Sequence, residues 1–304
     1  MTYDVIVVGG GPGGYAAALY AARSGLSVAV LEKLSPGGQM ATTSQIDNYP
    51  GFPDGVDGFD LGQQMARQAE KYGAQTVLAE VTGADLAANP KVLRTSEGEF
   101  SARAVILATG AYPRELGLPE ENALRGRGVA YCATCDGMMY RNKVVAVNGG
   151  GNTAVEDALY LSKLCAKVYL IHRRDQLRAS AVYRRALDEQ GVEILWNSRV
   201  TALRHEERLT GVELEDTKTG ERRELACDGL FVAIGRVPDT ALFAGQVDMD
   251  ETGYLKADET CRTSLPGVFA VGDARTKAVR QVVTAAADGA NAAHFAEEYL
   301  LNNM

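Results

Sequence analysis

Val5-Ile6-Val7-Val8, followed by Gly9-Gly10-Gly11-Pro12-Gly13-Gly14, decides the fold. A short run of β-branched residues closed by glycines reads as a strand buried on both faces. An alanine-rich helix is predicted from about Gly13 to Ser24, then a second apolar strand, Val28-Ala29-Val30-Leu31, ending at Glu32. Strand, G-x-G-x-x-G loop, helix, strand and acid stand in the order of a dinucleotide-binding unit. Gly9 permits the tight turn, Gly11 lets a pyrophosphate approach the backbone, and Gly14 lets the helix pack close to the sheet. The helix start offers free N–H groups to phosphate, and Glu32 can accept hydrogen bonds from a ribose diol. The alternative is a glycine-rich turn in an unrelated α/β fold; the parts standing in register favour the nucleotide.

The same pattern returns further along. Val144–Val147 is a strand, Gly149-Gly150-Gly151-Asn152-Thr153-Ala154 its loop, and a helix is predicted from about Thr153 to Leu164. The next strand, Val168–Ile171, ends on His172-Arg173-Arg174, with Arg178 following, where the first unit has Glu32. A carboxylate there favours a free ribose 2′-hydroxyl, whereas guanidinium groups bind a 2′-phosphate bidentately. The first unit is therefore expected to hold FAD or NAD and the second NADP(H); a solvated basic helix start is the plain alternative for the arginines. Two such units in one chain point to a flavoprotein in which hydride passes between nicotinamide and flavin.

Val105–Gly110 and Leu230–Gly235 read as closing strands of the two units, each followed by a proline break at Pro113 and Pro238. One more strand, Val268–Val271, leads into Gly272-Asp273, and a long helix is predicted from about Gln281 to Leu300. These last residues are too few for a core of their own. They are expected to complete the first domain, which then comprises 1–114 and 240–304, with 115–239 inserted. The fold expected is α/β, two Rossmann-like domains with the second inserted into the first, and the two connections form a hinge. Asp273 can bind a ribityl or ribose hydroxyl or simply cap a turn. Arg280-Gln281, at a helix start, would stabilise negative charge on a reduced flavin.

The 304 residues carry 31 Lys and Arg against 39 Asp and Glu, a formal net charge of −8. That profile is globular and argues against nonspecific nucleic-acid binding as the main task. No apolar run approaches the roughly 18 residues of a membrane span. The N-terminal run has no basic leader, so a cytoplasmic location is expected. Of five cysteines, only Cys132 and Cys135 have a meaningful spacing. A lone C-x-x-C reads as a redox pair or half a zinc site. Zinc needs about four ligands, and neither the scattered Cys165, Cys227 and Cys261 nor the three histidines supply a second pair. A buried inert pair is the other alternative; the redox dithiol is favoured, with Asp136 beside it to exchange a proton.

With these motifs in order, the chain resembles the low-molecular-weight bacterial thioredoxin reductases along essentially its whole length. The resemblance is carried by Gly9–Gly14, Gly37-Gly38-Gln39, Ala108-Thr109-Gly110 and Cys132-Ala133-Thr134-Cys135-Asp136-Gly137. It continues in Gly149–Ala154, His172-Arg173-Arg174 with Arg178, and Gly272-Asp273 with Arg280-Gln281. Larger relatives similar to glutathione reductase carry their cysteines soon after the first fingerprint, where residues 33–48 here have none. The resemblance implies that NADPH reduces FAD, FAD reduces the Cys132–Cys135 disulfide, and the dithiol reduces thioredoxin. It implies that Cys135 faces the flavin, Cys132 attacks the substrate and Asp136 is the acid. It places FAD contacts on Gly9, Gly11, Pro12, Gly14, Glu32, Lys33, Gly38, Gln39, Asn48, Thr109, Gly110, Gly272, Asp273, Arg280, Gln281 and Val282. NADPH contacts fall on Gly149, Gly151, Asn152, Thr153, His172, Arg173, Arg174 and Arg178. It further implies a homodimer whose NADPH domain rotates between two states. Met138-Met139 depart from the family's two phenylalanines at the thioredoxin-docking position, while Arg127 matches a docking residue. The competing readings are a flavin-dependent dithiol oxidase, a reductase of another small disulfide protein, and a redox-sensing module without turnover.

Overall fold

A computed structural model describes residues 2–43, 45–179 and 181–303, with only the backbone of 181–183. It divides into one unit formed by Met1–Tyr112 and Val237–Met304 and a second formed by Pro113–Arg236. The insertion is therefore present, with the changeovers at Tyr112/Pro113 and Arg236/Val237.

In the first unit, β1 (Thr2–Val8) passes through α1 (Pro12–Arg23) to β2 (Val28–Glu32), which pairs parallel to β1. Val5, Ile6 and Val7 are wholly buried because both sheet faces are covered. Next, α2 (Gly58–Glu70) is capped by Asp57, whose carboxylate accepts from the Asp60 N–H at 2.9 Å, and leads to β3 (Gln75–Leu78). A meander of β4 (Val81–Asp85), β5 (Lys91–Thr95) and β6 (Gly98–Leu107) follows. The long β6 does two jobs: its first half pairs antiparallel with β5 and its second half parallel with β1. The strand β7 (Ala111–Pro113) then leaves the unit.

The second unit runs β8 (Val129–Ala130), α3 (Ala133–Asp136), β9 (Val144–Gly149), α4 (Asn152–Ser162), β10 (Lys167–Ile171), α5 (Ala181–Glu189) and β11 (Glu193–Leu195). An antiparallel set, β12 (Ser198–His205), β13 (Leu209–Asp216) and β14 (Arg222–Ala226), precedes β15 (Gly229–Ala233) and β16 (Arg236–Pro238). The parallel sheet has the order β11-β10-β9-β15-β8.

Back in the first unit, β17 (Val268–Ala270) pairs parallel with β6, and α6 (Val282–Asn302) closes the fold. The N-terminal helix α1 is rich in alanine on all sides because it is enclosed: Ala17 and Ala18 are fully buried, and α6 crosses it closely. The crossing depends on Gly289, where a Cβ would overlap the Gly13 carbonyl and lie 2.7 Å from the Ala17 nitrogen.

Candidate active site

The first fingerprint is a set of contacts that tolerate no side chain, beside one open position. Gly9 has φ +103°, and a Cβ there would meet the Ala108 carbonyl oxygen at 2.5 Å. A Cβ on Gly14 would overlap the Gly9 carbonyl. Gly11, by contrast, has nothing within 4 Å of where its Cβ would be, which leaves the backbone open to a phosphate. Pro12 occupies the first turn of α1, where no N–H is needed. Gly38 comes against this loop, with its Cβ position 3.2 Å from the Gly11 Cα, and Gln39 beside it is exposed. Gly14→Ala is expected to destabilise the first unit by about 1–3 kcal/mol and to lower flavin content. Urea unfolding and flavin absorbance per chain measure both; wild-type values in each would remove the close-packing argument.

Glu32 is buried, and its two oxygens accept from the Gly10 N–H at 2.7 Å and the Leu34 N–H at 2.9 Å. Each oxygen retains a lone pair for a ribose hydroxyl. Lys33 turns to Asp239 at 3.7 Å and lies over the Tyr112 ring. Asn48 Nδ2 donates to Gln281 Oε1 at 3.0 Å, so two residues distant in sequence meet at the start of α6. Val282 packs there against Met40, Ile46 and Leu61. Gly110 has φ +75°, and next to it Thr109 Oγ1 is buried with no partner; Arg280 Nε is buried and unpartnered as well. Orphaned polar groups of this kind fit a flavin nucleotide, whose pyrophosphate oxygens, carbonyls and ring nitrogens can pair with them.

The turn at Gly272 and the half-buried Asp273 rests on a charged cluster that sequence reasoning missed. Asp288, inside α6, accepts from the Gly272 N–H at 2.9 Å, Arg275 Nη1 at 3.2 Å and Lys277 Nζ at 2.8 Å. All three charged side chains are at least nine-tenths buried. A lone aspartate within an alanine-rich helix segment was the only sequence signal.

The second fingerprint repeats the first with different partners. A Cβ on Gly149 would overlap the Ala233 carbonyl, whereas Gly151 faces open space. Asn152 and Thr153 are exposed at the start of α4. His172 is turned inward: it is buried, a Cβ on Gly150 would overlap its ring, and its two nitrogens lie 2.9 Å from Gly149 O and 2.8 Å from Gln176 O. It shapes the loop from within. Arg173, Arg174 and Arg178 are exposed, with no acidic partner within ion-pair distance among the described residues. The Arg178 N–H returns to Gly150 O at 2.8 Å, which brings this basic segment to the fingerprint loop.

Cys132 and Cys135 form a disulfide with Cα atoms 5.3 Å apart. Cys132 is extended and caps α3, whose first turn closes with the Asp136 N–H on Cys132 O at 3.0 Å. Gly137 then allows close approach to α4, since a Cβ would lie 3.0 Å from the Tyr160 ring. Met138 and Met139 are exposed. Burial pushes the Cys165 thiol up to about 11 and those of Cys227 and Cys261 to about 12, which makes them poor nucleophiles. No group of three His, Cys, Asp or Glu side chains among the described residues is placed to hold a metal.

Burial also pushes the Asp136 carboxyl from 3.8 up to about 6. A raised folded-state value means that the unfolded chain ionises first. Stability is then full below about pH 4, falls as pH rises towards 6, and stays reduced above it. Asp136→Asn is expected to be the more stable protein at about pH 8, by up to about 3 kcal/mol, with the difference gone near pH 4. It is also expected to lose about 10²-fold in disulfide turnover. Urea unfolding across that range checks the first expectation; parallel stability–pH curves would overturn it.

One family, pyridine nucleotide-disulphide oxidoreductase, matches residues 3–289. The chain belongs to that family. Similar members include the thioredoxin reductase of Streptomyces clavuligerus, 48% identical over 98% of this chain and 94% of that one. The thioredoxin reductase of Bacillus subtilis is 41% identical over 98% of this chain and 95% of its own. The crystal structure of thioredoxin reductase from Streptococcus pyogenes has a TM-score of 0.93 at 40% identity and covers 99% of both chains. Membership makes the protein an oxidoreductase that uses a flavin and a nicotinamide nucleotide. No helix among the described residues is long and apolar enough to cross a membrane.

Proposed function

We propose that this oxidoreductase is an NADPH-dependent thioredoxin-disulfide reductase, with FAD in the first unit and NADPH in the second, acting as a cytoplasmic homodimer. The observation that carries the reading is the closed Cys132–Cys135 pair beside a buried carboxyl whose value is raised to about 6. The relatives' names support the substrate. The exposed Arg173, Arg174 and Arg178 support a 2′-phosphate, and the buried orphans Thr109 Oγ1 and Arg280 Nε support the flavin. Three free cysteines fit a reducing compartment.

Bound FAD supplies two-electron exchange between nicotinamide and a disulfide. From the dithiol form, the chain's own residues do the rest. Cys132 Sγ, as thiolate, attacks one sulfur of the thioredoxin disulfide; that S–S bond breaks, and the other thioredoxin sulfur leaves with the electron pair and takes a proton. Cys135 Sγ, as thiolate, then attacks Cys132 Sγ, re-forming the intramolecular bond and expelling the second thioredoxin sulfur. Asp136 supplies a proton to the departing sulfur, for which a value near neutrality suits it better than an ordinary carboxyl.

NADPH oxidation by the purified yellow protein, with and without thioredoxin from its own source, tests this. Consumption that depends on thioredoxin is expected. Hydrogen peroxide formed from a dithiol without NADPH would replace the reading with a dithiol oxidase. The homodimer is checked by light scattering.

A further inference from the structure

One buried carboxylate that no step above uses is bonded to the residue preceding Cys132. Glu121 is 2% exposed. Its Oε1 accepts from the Leu116 N–H at 2.9 Å and the Tyr131 hydroxyl at 2.7 Å. Its Oε2 accepts from the Gly117 N–H at 2.8 Å and the Leu118 N–H at 3.3 Å. Four donors on two oxygens meet the full capacity of a carboxylate. The Arg125 guanidinium lies 4.5 Å over the Tyr131 ring and donates to Glu115 at 3.4 Å. Burial and the hydrogen bond to Glu121 push the Tyr131 phenol up, so it remains an O–H donor.

The position of Tyr131 gives this cluster its meaning. It is the single residue between β8, held to β15 by the Ala130–Phe231 pairing, and Cys132. Cys132 and Cys135 share the first turn of α3, closed by the Asp136 N–H on Cys132 O, and the approach of Gly137 to α4 holds the far end of that turn. The Tyr131 side chain, held by Glu121, anchors the chain where it enters that turn and so bears on how Cys132 is presented to Cys135. A disulfide needs its Cα atoms within about 4.4–6.8 Å, and here they are 5.3 Å apart. The same carboxylate gathers the N–H groups of 116–118, the segment that enters the second unit after Pro113.

We infer that Glu121 and Tyr131 are positioning residues for Cys132: the Glu121–Tyr131 hydrogen bond holds the attacking sulfur within closing distance of Cys135. Preorganisation of this kind raises the equilibrium constant for closing the disulfide, because less chain freedom is lost at closure. Removing the hydrogen bond lowers that constant and makes the pair more oxidising. The inference rests on the proposed role of Cys132 and Cys135 as the redox pair.

The test is the midpoint potential of that pair in the holoenzyme, for wild type, Tyr131→Phe and Glu121→Gln. Each protein is equilibrated in dithiothreitol redox buffers, acid-quenched, and labelled with a maleimide under denaturing conditions, and the two extra labels are read by mass spectrometry. A tenfold lower closure constant is expected for Tyr131→Phe, a rise of about 30 mV, with a shift in the same direction for Glu121→Gln. Tyr131→Phe removes one oxygen atom and keeps the ring under Arg125, so it remains informative if Glu121→Gln does not fold. A lowered Tm in Tyr131→Phe with an unchanged potential would make the cluster merely structural and overturn the inference. A wild-type pair with no reversible couple would instead sink the redox-pair reading on which it rests.

Discussion

Cys135→Ser is expected to leave a protein that still binds flavin and nicotinamide nucleotide but turns over no disulfide. The substitution is nearly isosteric, at a half-buried position outside both glycine fingerprints, so each unit keeps its fold. Cys132 alone can still attack thioredoxin, but nothing then expels the second thioredoxin sulfur. The mixed disulfide becomes a dead end, and NADPH oxidation driven by thioredoxin is expected to fall by at least about 10³-fold. A thioredoxin adduct should accumulate on non-reducing gels and vanish with dithiothreitol. Cys132→Ser should show the same loss without the adduct. Retained turnover in Cys135→Ser would end the assignment of this pair as the redox centre, whatever the flavin content.

The second large effect is on nucleotide choice. Arg173 and Arg174 are exposed just after β10 and have no acidic partner within ion-pair distance among the described residues. A charge-assisted hydrogen bond contributes about 1.5–3 kcal/mol. For two exposed guanidiniums screened by salt, a joint loss of about 3 kcal/mol is reasonable, or roughly 10²-fold in affinity. Arg173→Ala/Arg174→Ala is therefore expected to raise KM for NADPH about 10²-fold. KM for NADH and the kcat with either nucleotide should hardly move, because the lost contacts lie at the 2′-phosphate. An equal change for both nucleotides would mean that the arginines hold the loop and do not read the phosphate. Salt should weaken NADPH binding in the wild type and have little effect in the double variant.

The parts of the fold legible in sequence were those where one residue type answers one steric demand. Gly9, Gly14 and Gly149 stand where any Cβ meets a carbonyl, and β1 and β9 are apolar runs because both sheet faces are covered. The strands β4 and β5, the first half of β6 and the antiparallel β12–β14 were not legible. They are half exposed and charged, and their partners are set by long-range pairing that local propensity does not encode. The site shows the same division. The spacing of Cys132 and Cys135 announces itself, but the inward turn of His172 depends on Gly150 leaving room for the ring. Glu121 and Asp288 carry almost no signal in the sequence, because their donors are mostly backbone N–H groups and distant cations, which leave no pattern along the chain.

The order in which α1, β6, β17 and α6 occur also has a consequence for biosynthesis. The groove of α1 that receives Gly289, and the edge of β6 that receives β17, are made early in translation and filled last. The whole inserted unit emerges from the ribosome between them, and domains generally fold as units as they emerge. The second unit can thus mature on the nascent chain while its host waits with an open apolar seam. Flavin loading then becomes a post-translational event, gated by arrival of the final helix. A limited riboflavin supply should accordingly leave apoprotein exposed at that seam, as a client for chaperones.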